Sequence, residues 1–215
     1  MVPDSKIYPK MNKSNTALLV IDVVNGCAHE KCEIPEWKIS FSKIREMVPR
    51  LREFIDDYRK IIAAPIIFVN ITPWTKEKLP ENINELYTDP DARYYAKENS
   101  GFAEKFYKVK PDAEDVIITK NSYDAFTNPE LEKLLREKGI QYLVVTGIFT
   151  DGCVLATVAN GFSAGFHFVM LADLIETTDD KERQELSALL KKRVFPLQYG
   201  KTILSDDFLV GWKGK

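Results

Sequence analysis

Three polar residues stand at, or just beyond, the ends of predicted strands. Asp22 interrupts the apolar run LLVIDVVN, Lys120 closes the run VIITK, and Cys153 follows the run QYLVVTG through the loop IFTDG. Open α/β sheets bind their ligands at the carboxyl ends of the strands, so these positions are candidates for chemistry. A carboxylate inside an apolar run must pair with a cation or work as an acid or base, because an unpaired buried charge is too costly.

Cys153 is the most informative of the three residues. It lies where a helix should begin, so its thiol faces the positive end of the helix dipole and the free N–H groups there. We therefore expect the pKa of Cys153 to lie below that of an ordinary cysteine, which would make the thiol reactive. The same N–H groups could hold the oxyanion of a tetrahedral intermediate.

Each of these residues, taken alone, also allows a purely structural explanation. Asp22 could cap a neighbouring turn or pair with a cation for stability. Lys120 could be a solvated lysine that closes a strand. Cys153 could be a small buried side chain that packs a helix onto a strand, which is common for cysteine.

The composition excludes several functional classes. Thirty Lys and Arg residues against 32 Asp and Glu residues give a formal net charge of −2, so no sequence-wide basic field is available for nucleic acid or an anionic membrane. The chain has only two histidines, His29 and His167. A histidine-rich metal site is therefore nearly impossible, and acid–base chemistry falls to carboxylate, lysine or thiol.

The cysteine content and the apolar runs favour a cytoplasmic protein that contacts no membrane. The three cysteines form a sparse and odd set, which is typical of a reducing compartment. The first 15 residues are polar and lack the apolar segment of a signal peptide. The longest apolar stretches are far shorter than the ~20 residues that span a bilayer.

Six short apolar runs predict strands, and helical patterns separate them. Several runs are apolar at consecutive positions, as strands buried on both faces of a sheet require. The alternation predicts a single-domain α/β protein: a three-layer α/β/α fold with a six-stranded, mostly parallel sheet. The predicted strands are Ala17–Val24, Pro65–Ile71, Val116–Thr119, Gln141–Thr146, His167–Ala172 and Lys201–Leu204.

Four segments have the pattern of helices that pack on this sheet. The first is long and contains Pro49, which we expect to kink or split it. The second opens with Asn-Pro and ends before Gly139, as capping preferences dictate. The predicted helices are Ser40–Ile62, Asn128–Lys138, Cys153–Ala164 and Asp179–Val194.

The segment Thr72–Lys110 breaks this alternation. It is strongly charged, contains three prolines, and carries seven aromatic residues. A connection of this length inside a domain of residues 1–215 is usually a lid, a binding loop or an oligomer contact. Its aromatic residues could equally pack in the core or at a dimer interface.

Cys27, His29 and Cys32 offer three potential metal ligands within six residues. A zinc site would need a fourth ligand and a rigid loop, and the sequence supplies neither. We therefore predict no metal here. Instead, we expect a loop that lines the substrate pocket, with Trp37 as part of its wall.

Three blocks of the sequence, taken together, resemble the isochorismatase-like cysteine hydrolases. The blocks are LLVIDVVN, ITKNSYDAF and LVVTGIFTDGCVLATVANGFSAGFHFVMLAD, and the resemblance runs from Thr16 to Asp173. The most specific stretch is Thr146–Thr157. The family includes nicotinamidases, isochorismatases, and amidohydrolases that act on N-carbamoylsarcosine, ureidoacrylate and biuret.

The resemblance implies a role for each of the three polar residues. Asp22, Lys120 and Cys153 would correspond to the family's catalytic aspartate, lysine and nucleophile. It also implies a cis peptide bond between Ile148 and Phe149, with the amides of Phe149 and Cys153 forming an oxyanion hole. No cofactor is then needed.

Two departures from the family pattern bear on the substrate. The glutamine that often follows the aspartate is Val23 here, and no histidine lies between Pro65 and Lys110, where a nicotinamidase binds its metal. Isochorismatases tend to lack the nucleophilic cysteine, so Cys153 favours hydrolysis of a small amide, carbamoyl or ureido compound. The alternatives are a vinyl-ether hydrolase that uses Asp22 as an acid, or a non-catalytic binding or redox-sensing protein.

Aromatic side chains are expected to shape the substrate pocket. The expected binding partner is a small-molecule substrate. Members of the family are commonly dimers or tetramers, so the resemblance implies a homodimer or homotetramer. The predicted substrate-binding residues are Trp37, Trp74, Phe126 and Phe149.

Overall fold

A six-stranded sheet forms the centre of the protein, in a computed structural model that describes residues 7–37, 39–72, 76–86 and 102–213. All neighbouring strands are parallel, in the order β3-β2-β1-β4-β5-β6. The predicted α/β fold is therefore confirmed. The strands are β1 (Thr16–Ile21), β2 (Ile66–Ile71), β3 (Val116–Lys120), β4 (Tyr142–Ile148), β5 (His167–Glu176) and β6 (Gly200–Ile203).

The sheet separates two hydrophobic clusters. Every residue of β1, β2 and β4 is buried, because helices cover both faces of the sheet. Along β1, Leu18 and Val20 belong to one cluster, and Leu19 and Ile21 belong to the other. The consecutive apolar residues of these runs thus reflect burial on two sides.

Strand ends differ from the predicted ones where the backbone changes direction. The first strand ends at Ile21 and not at Val24, because Asp22 adopts a left-handed conformation with φ 53° and leaves the sheet. By contrast, β5 is longer than predicted and continues to Glu176, four residues beyond its predicted end. This longer strand pairs with β4 again after a register shift between Val145 and Gly147.

Helices pack on both faces of the sheet. The first helix runs unbroken from Ser42 to Asp57 with Pro49 inside it, so the predicted split at this proline is wrong. Its apolar face, which includes Val48 and Leu51, is buried against the sheet and holds the helix together. The helices are α1 (Ser42–Asp57), α2 (Glu81–Leu86), α3 (Pro129–Glu137), α4 (Leu155–Ser163), α5 (Lys181–Leu189) and α6 (Ser205–Lys213).

Capping fixes where two of these helices begin. Asn128 accepts a hydrogen bond from the backbone N–H of Glu130 and precedes Pro129, the first residue of α3. In the same way, Asp180 accepts from the N–H of Arg183 at the start of α5. The start of α5 matters for the site, because it follows the carboxyl end of β5.

Part of the segment between Thr72 and Lys110 belongs to the core. The backbone of Phe106 pairs with Val24, and the N–H of Tyr107 donates to the carbonyl of Val23 at 2.9 Å. Both aromatic side chains are buried. Residues 102–110 thus close over the loop that follows β1, whereas residues 73–75 and 87–101 lie outside the described parts of the chain.

The C-terminal helix α6 was not predicted. Phe208 and Trp212 are buried on its inner side, and the Phe208 ring packs against Phe54 of α1. Its exposed Val210 and its short length weaken the helical pattern in the sequence. Across the described residues, no helix has the length and apolar character needed to cross a membrane.

Candidate active site

The carboxyl ends of three strands bring Asp22, Lys120 and Cys153 together. Asp22 follows β1, Lys120 is the last residue of β3, and Cys153 lies five residues after β4. The Nζ atom of Lys120 lies 2.7 Å from Oδ2 of Asp22 and 3.3 Å from Sγ of Cys153. The structure therefore brings together the three residues that the sequence singled out.

Local backbone contacts fix the direction of Asp22. Its N–H donates to the carbonyl of Val69 in β2 at 3.0 Å, while its positive φ turns the chain out of the sheet. The neighbouring strand approaches closely at Gly147, where a Cβ atom would overlap the carbonyl of Ile21. Gly147 also has a positive φ of 112°, so only glycine fits this position without strain.

Lys120 is buried, and its ammonium group faces three acceptors. Besides Asp22 and Cys153, its Nζ donates to the carbonyl of Ser122 at 2.9 Å. Burial alone would lower the pKa of Lys120, but the negative charges of Asp22 and Cys153 outweigh burial and raise it. Lys120 therefore stays a cation, and the alternative of a solvated lysine is wrong.

Asp22 is a buried carboxylate with few favourable contacts. Its side chain is 3% exposed, and its two described partners are the Lys120 ammonium, 2.7 Å from Oδ2, and the Cys153 thiol. Burial raises the pKa of Asp22, although the Lys120 ammonium and the Cys153 thiol act to lower it. A carboxylate in this condition is a stronger base than an exposed one.

The pKa of Cys153 differs from the sequence-based expectation. Burial raises it to about 12, and the charge of Lys120 only partly offsets this effect. The predicted reason for a low pKa, a helix beginning at the cysteine, is also absent: α4 begins at Leu155. Cys153 instead lies in an irregular turn, Thr150–Val154, in which Gly152 has non-helical angles of φ −123° and ψ −107°.

The segment from Phe149 to Cys153, which we name the nucleophile loop, follows β4 directly. The peptide bond between Ile148 and Phe149 is cis. The carbonyl of Phe149 accepts hydrogen bonds from the N–H groups of Gly152 and Val154 at 3.0 and 3.1 Å. The loop therefore folds back tightly and places Cys153 beside Lys120.

A second ion pair holds this loop, and sequence reasoning missed it. Nε and Nη2 of Arg183 contact the two carboxylate oxygens of Asp151 at 2.7 and 2.9 Å. The hydroxyl of Thr177 donates to the same carboxylate at 2.5 Å. Burial acts to raise the pKa of Asp151, but the hydrogen bonds from Arg183 and Thr177 outweigh it and lower the pKa. The signal in the sequence was Asp151 itself, a charged residue two positions before the cysteine.

Asn70 is another buried polar residue near the site that the sequence reading passed over. It lies in β2, between the strands that carry Asp22 and Lys120, and is fully buried. Its Nδ2 donates to the Thr119 hydroxyl at 3.2 Å, whereas no described group donates to its Oδ1. An asparagine inside the apolar run IIFVNI was the available signal.

Two of the predicted substrate-binding aromatics can be placed. The centroid of the Phe149 ring lies 6.2 Å from that of Phe41 and 5.1 Å from the guanidinium carbon of Arg183. Phe126 packs against Phe166 and lies so close to Gly161 that a Cβ atom there would overlap it. The side chain of Trp37 and the whole of Trp74 lie outside the described residues.

The loop with Cys27, His29 and Cys32 is organised by packing. Nδ1 of His29 accepts a hydrogen bond from the N–H of Lys31 at 3.1 Å, and its ring lies 4.7 Å from that of Phe102. This nitrogen is therefore engaged with the backbone. Among the residues that the structure describes, no group of three or more His, Cys, Asp or Glu side chains has the arrangement of a metal site.

The fold places the protein in a class of solved structures that includes known hydrolases. A cysteine hydrolase from Pseudomonas syringae superposes with a TM-score of 0.79 at 17% identity, over 100% of this chain and 99% of the other. N-carbamoylsarcosine amidase from Thermoplasma acidophilum superposes with a TM-score of 0.63 at 22% identity, over 89% and 97%. At these identities the likeness shows the fold.

The sequence comparisons define the family. The isochorismatase domain model matches residues 16–200. The ureidoacrylate amidohydrolase RutB of Yersinia enterocolitica is 34% identical over an alignment of 180 residues, and the match covers 74% of this chain and 74% of the relative. The chain belongs to the isochorismatase family of hydrolases, and the resemblance seen in the sequence is confirmed.

Proposed function

We propose that this protein is a cysteine-dependent amidohydrolase that cleaves a small amide, carbamoyl or ureido compound. The contact of one buried ammonium, that of Lys120, with both Asp22 and Cys153 carries the proposal. A thiol nucleophile, a carboxylate base and a cation that stabilises both anions are the parts that covalent catalysis needs. The chain itself supplies all three, so the proposed reaction uses no cofactor.

The first step forms a carbon–sulfur bond. Asp22 takes the proton of the Cys153 thiol while sulfur attacks the carbonyl carbon of the substrate, and the carbonyl oxygen becomes an oxyanion. The raised pKa of Asp22 brings the carboxylate closer in basicity to the thiol, whose own pKa is raised by burial to about 12. Lys120 lowers the cost of the transfer, because the thiolate forms next to its ammonium.

The second step breaks the carbon–nitrogen bond. The oxyanion collapses, the carbon–nitrogen bond breaks, and the protonated Asp22 returns its proton to the leaving nitrogen, which departs as ammonia or an amine. We assign stabilisation of the oxyanion to the backbone amides of Phe149 and Cys153. A thioester on Cys153 remains.

Water completes the cycle. Asp22, again ionised, takes a proton from a water molecule whose oxygen attacks the thioester carbon. The carbon–sulfur bond then breaks, the sulfur recovers its proton, and the acid product leaves. This use of one carboxylate as base, acid and base again requires a pKa that differs little from the working pH.

The relatives support a substrate with a carbamoyl or ureido group. Ureidoacrylate amidohydrolase, at 34% identity, and N-carbamoylsarcosine amidase, which shares the fold, carry such groups in the names of their substrates. The nitrogen of a terminal carbamoyl group leaves as ammonia. Ammonia release is therefore the signal to measure.

A second candidate function is vinyl-ether hydrolysis with Asp22 as an acid. The raised pKa of Asp22 favours it, because a carboxyl group that stays protonated can donate to a substrate carbon. This reaction does not need the thiol. The two candidates therefore predict opposite results for a variant without Cys153.

The test is a screen for ammonia release across small amides, carbamoyl compounds and ureides, with the Cys153→Ala variant as the blank. We expect the wild type to release ammonia from at least one ureido or carbamoyl compound, and the variant to lose at least about 1,000-fold in rate. Circular dichroism of the variant confirms that the fold is intact. Ammonia release that survives in Cys153→Ala would contradict the proposal.

A further inference from the structure

We infer that Arg183 is a positioning residue that holds the nucleophile loop in its productive shape. The inference rests on the proposed function and adds to it a residue outside the three that meet at Lys120. Arg183 has two separate contacts with the loop: an ion pair with Asp151 and a cation–π contact with the ring of Phe149. These two residues are the loop members that lie two and four positions before Cys153.

The contact with Asp151 is the stronger of the two. Two of the three guanidinium nitrogens, Nε and Nη2, each donate to one carboxylate oxygen, at 2.7 and 2.9 Å, and the Asp151 side chain is only 8% exposed. Paired hydrogen bonds of this kind fix direction as well as distance. The Thr177 hydroxyl donates to Oδ1, the oxygen that also accepts from Nη2 of Arg183, so this third hydrogen bond further restricts the Asp151 carboxylate.

The contact with Phe149 fixes the other end of the loop. The guanidinium carbon lies 5.1 Å from the centroid of the Phe149 ring, within the range of a cation–π interaction. The same ring packs on its neighbour Phe41. Because Phe149 is the first residue of the loop and its amide is assigned to the oxyanion hole, a shift of this ring would also move that amide.

Arg183 itself stands on a rigid support. Its N–H donates to the capping carboxylate of Asp180, and the next side chain, Gln184, donates to the carbonyl of Thr178 at 2.9 Å and to Glu176 at 3.1 Å. This support follows β5, whereas the nucleophile loop follows β4. The ion pair therefore ties together the loops after two paired strands, which Ile148 and Glu176 join in register.

Arginine is the residue type that this role needs. A lysine at position 183 would keep the charge, but it could neither donate two parallel hydrogen bonds to Asp151 nor stack flat on Phe149. Nothing in the described contacts joins Arg183 to Cys153 directly. Its effect on the reaction must therefore act through the loop, and an error of about 1 Å in a reacting group can cost about 100-fold in rate.

The test compares Arg183→Ala and Arg183→Lys with a matched control, Arg50→Met. Arg50 also pairs with an aspartate at β5, Asp173 at 3.0 Å, but on the α1 side and away from the nucleophile loop. On the substrate found in the screen, we expect kcat of Arg183→Ala to fall about 100-fold while KM changes less than about threefold. Arg183→Lys should recover only part of this loss, and Arg50→Met should keep the wild-type kcat.

Two further readouts separate positioning from general stability. Added ethylguanidinium should restore at least about tenfold in kcat to Arg183→Ala and leave Arg50→Met unchanged, because it replaces the missing group. Iodoacetamide should modify Cys153 about tenfold faster in Arg183→Ala than in Arg50→Met, because a loosened loop exposes the buried thiol. Wild-type kcat in Arg183→Ala, or equal losses in both variants, would overturn the inference.

The alkylation rates also keep this inference distinct from the proposed function. If the wild type releases no ammonia from any compound, the proposed function fails, yet the alkylation comparison can still be made. Equal alkylation rates in Arg183→Ala and Arg50→Met would then overturn the positioning role. Should Arg183→Ala not fold, the Arg183→Lys variant carries the same comparison, with a smaller expected difference.

Discussion

The ion pair of Asp22 with Lys120 and the ion pair of Asp151 with Arg183 both serve the segment that carries Cys153, but they treat their carboxylates in opposite ways. Asp151 accepts hydrogen bonds from Arg183 and Thr177, and its pKa is lowered. Asp22 contacts the Lys120 ammonium and the Cys153 thiol, but burial outweighs both contacts and raises its pKa.

This difference indicates how one protein uses the same type of side chain, an aspartate, in two roles. A carboxylate whose oxygens are satisfied gains nothing from a proton, so it is suited to holding structure. A carboxylate whose burial is only partly offset by its contacts has a high free energy when ionised and takes up a proton readily. We therefore assign support to Asp151 and proton transfer to Asp22, and the following changes test that assignment.

Asp22→Asn should have the largest effect on activity. The amide has nearly the shape of the carboxylate but cannot take the thiol proton, so we expect kcat/KM to fall about 1,000- to 10,000-fold. Steady-state ammonia release on the substrate from the screen measures it. Asp151→Asn is the matched control, and it should lose far less, about 100-fold at most. Equal losses of kcat/KM in the two variants would contradict the assignment of proton transfer to Asp22 and of structural support to Asp151.

Lys120→Met should have the largest effect on stability. Removing the ammonium leaves the Asp22 carboxylate buried without its cation, which costs about 3–5 kcal/mol in the free energy of unfolding. Urea unfolding at neutral pH measures this loss. The double variant Asp22→Asn with Lys120→Met should recover part of it, since the orphaned charge is gone. A double variant less stable than Lys120→Met would contradict the claim that the uncompensated Asp22 charge causes the loss of stability.

Asp151→Asn should destabilise the protein by about 1–3 kcal/mol at neutral pH, because the amide leaves Arg183 without its paired acceptor. The lowered pKa of Asp151 also sets the pH dependence. The folded state binds fewer protons there than the unfolded state, so the contribution is present above the unfolded pKa of about 3.9 and is lost as the pH falls through the folded pKa. Wild type and variant should therefore converge in acid.

The Asp22→Asn variant should show the opposite pH dependence of stability. Because the pKa of Asp22 is raised in the folded state, the folded protein binds more protons than the unfolded chain, and the wild type loses stability relative to Asp22→Asn as the pH rises above about 4. Urea unfolding of both variants at a series of pH values measures the two slopes. If the stability of the wild type relative to each variant changed with pH in the same direction for Asp22→Asn and Asp151→Asn, the contrast between the two carboxylates would be contradicted.

The sequence contained enough to predict the fold and the three residues that meet. Consecutive apolar residues in the runs of β1, β2 and β4 report burial on both faces, and parallel strands bring their carboxyl ends to one edge. Asp22 and Lys120 stood out because a charge inside or at the end of such a run needs a reason. Their contact follows from topology.

What the sequence did not predict depends on distances that only the folded chain defines. The thiol pKa of Cys153 was expected to fall with a helix dipole, but the helix begins two residues later and burial dominates. Arg183 and Asp151 are 32 positions apart, and no local pattern pairs them. Pro49 was expected to kink or split α1, yet the helix runs through it unsplit, with buried contacts along its inner face.

The most direct test of the central claim is a pH titration of the Cys153 thiolate by its absorbance near 240 nm, in the wild type and in Asp22→Asn, each against the matching Cys153→Ala blank. The wild-type thiol, with a pKa of about 12, should show no step between about pH 5 and pH 10. The charge of Asp22 raises that pKa, so Asp22→Asn should ionise at a lower pH while losing turnover. A wild-type step near neutral pH that Asp22→Asn leaves in place would contradict the account.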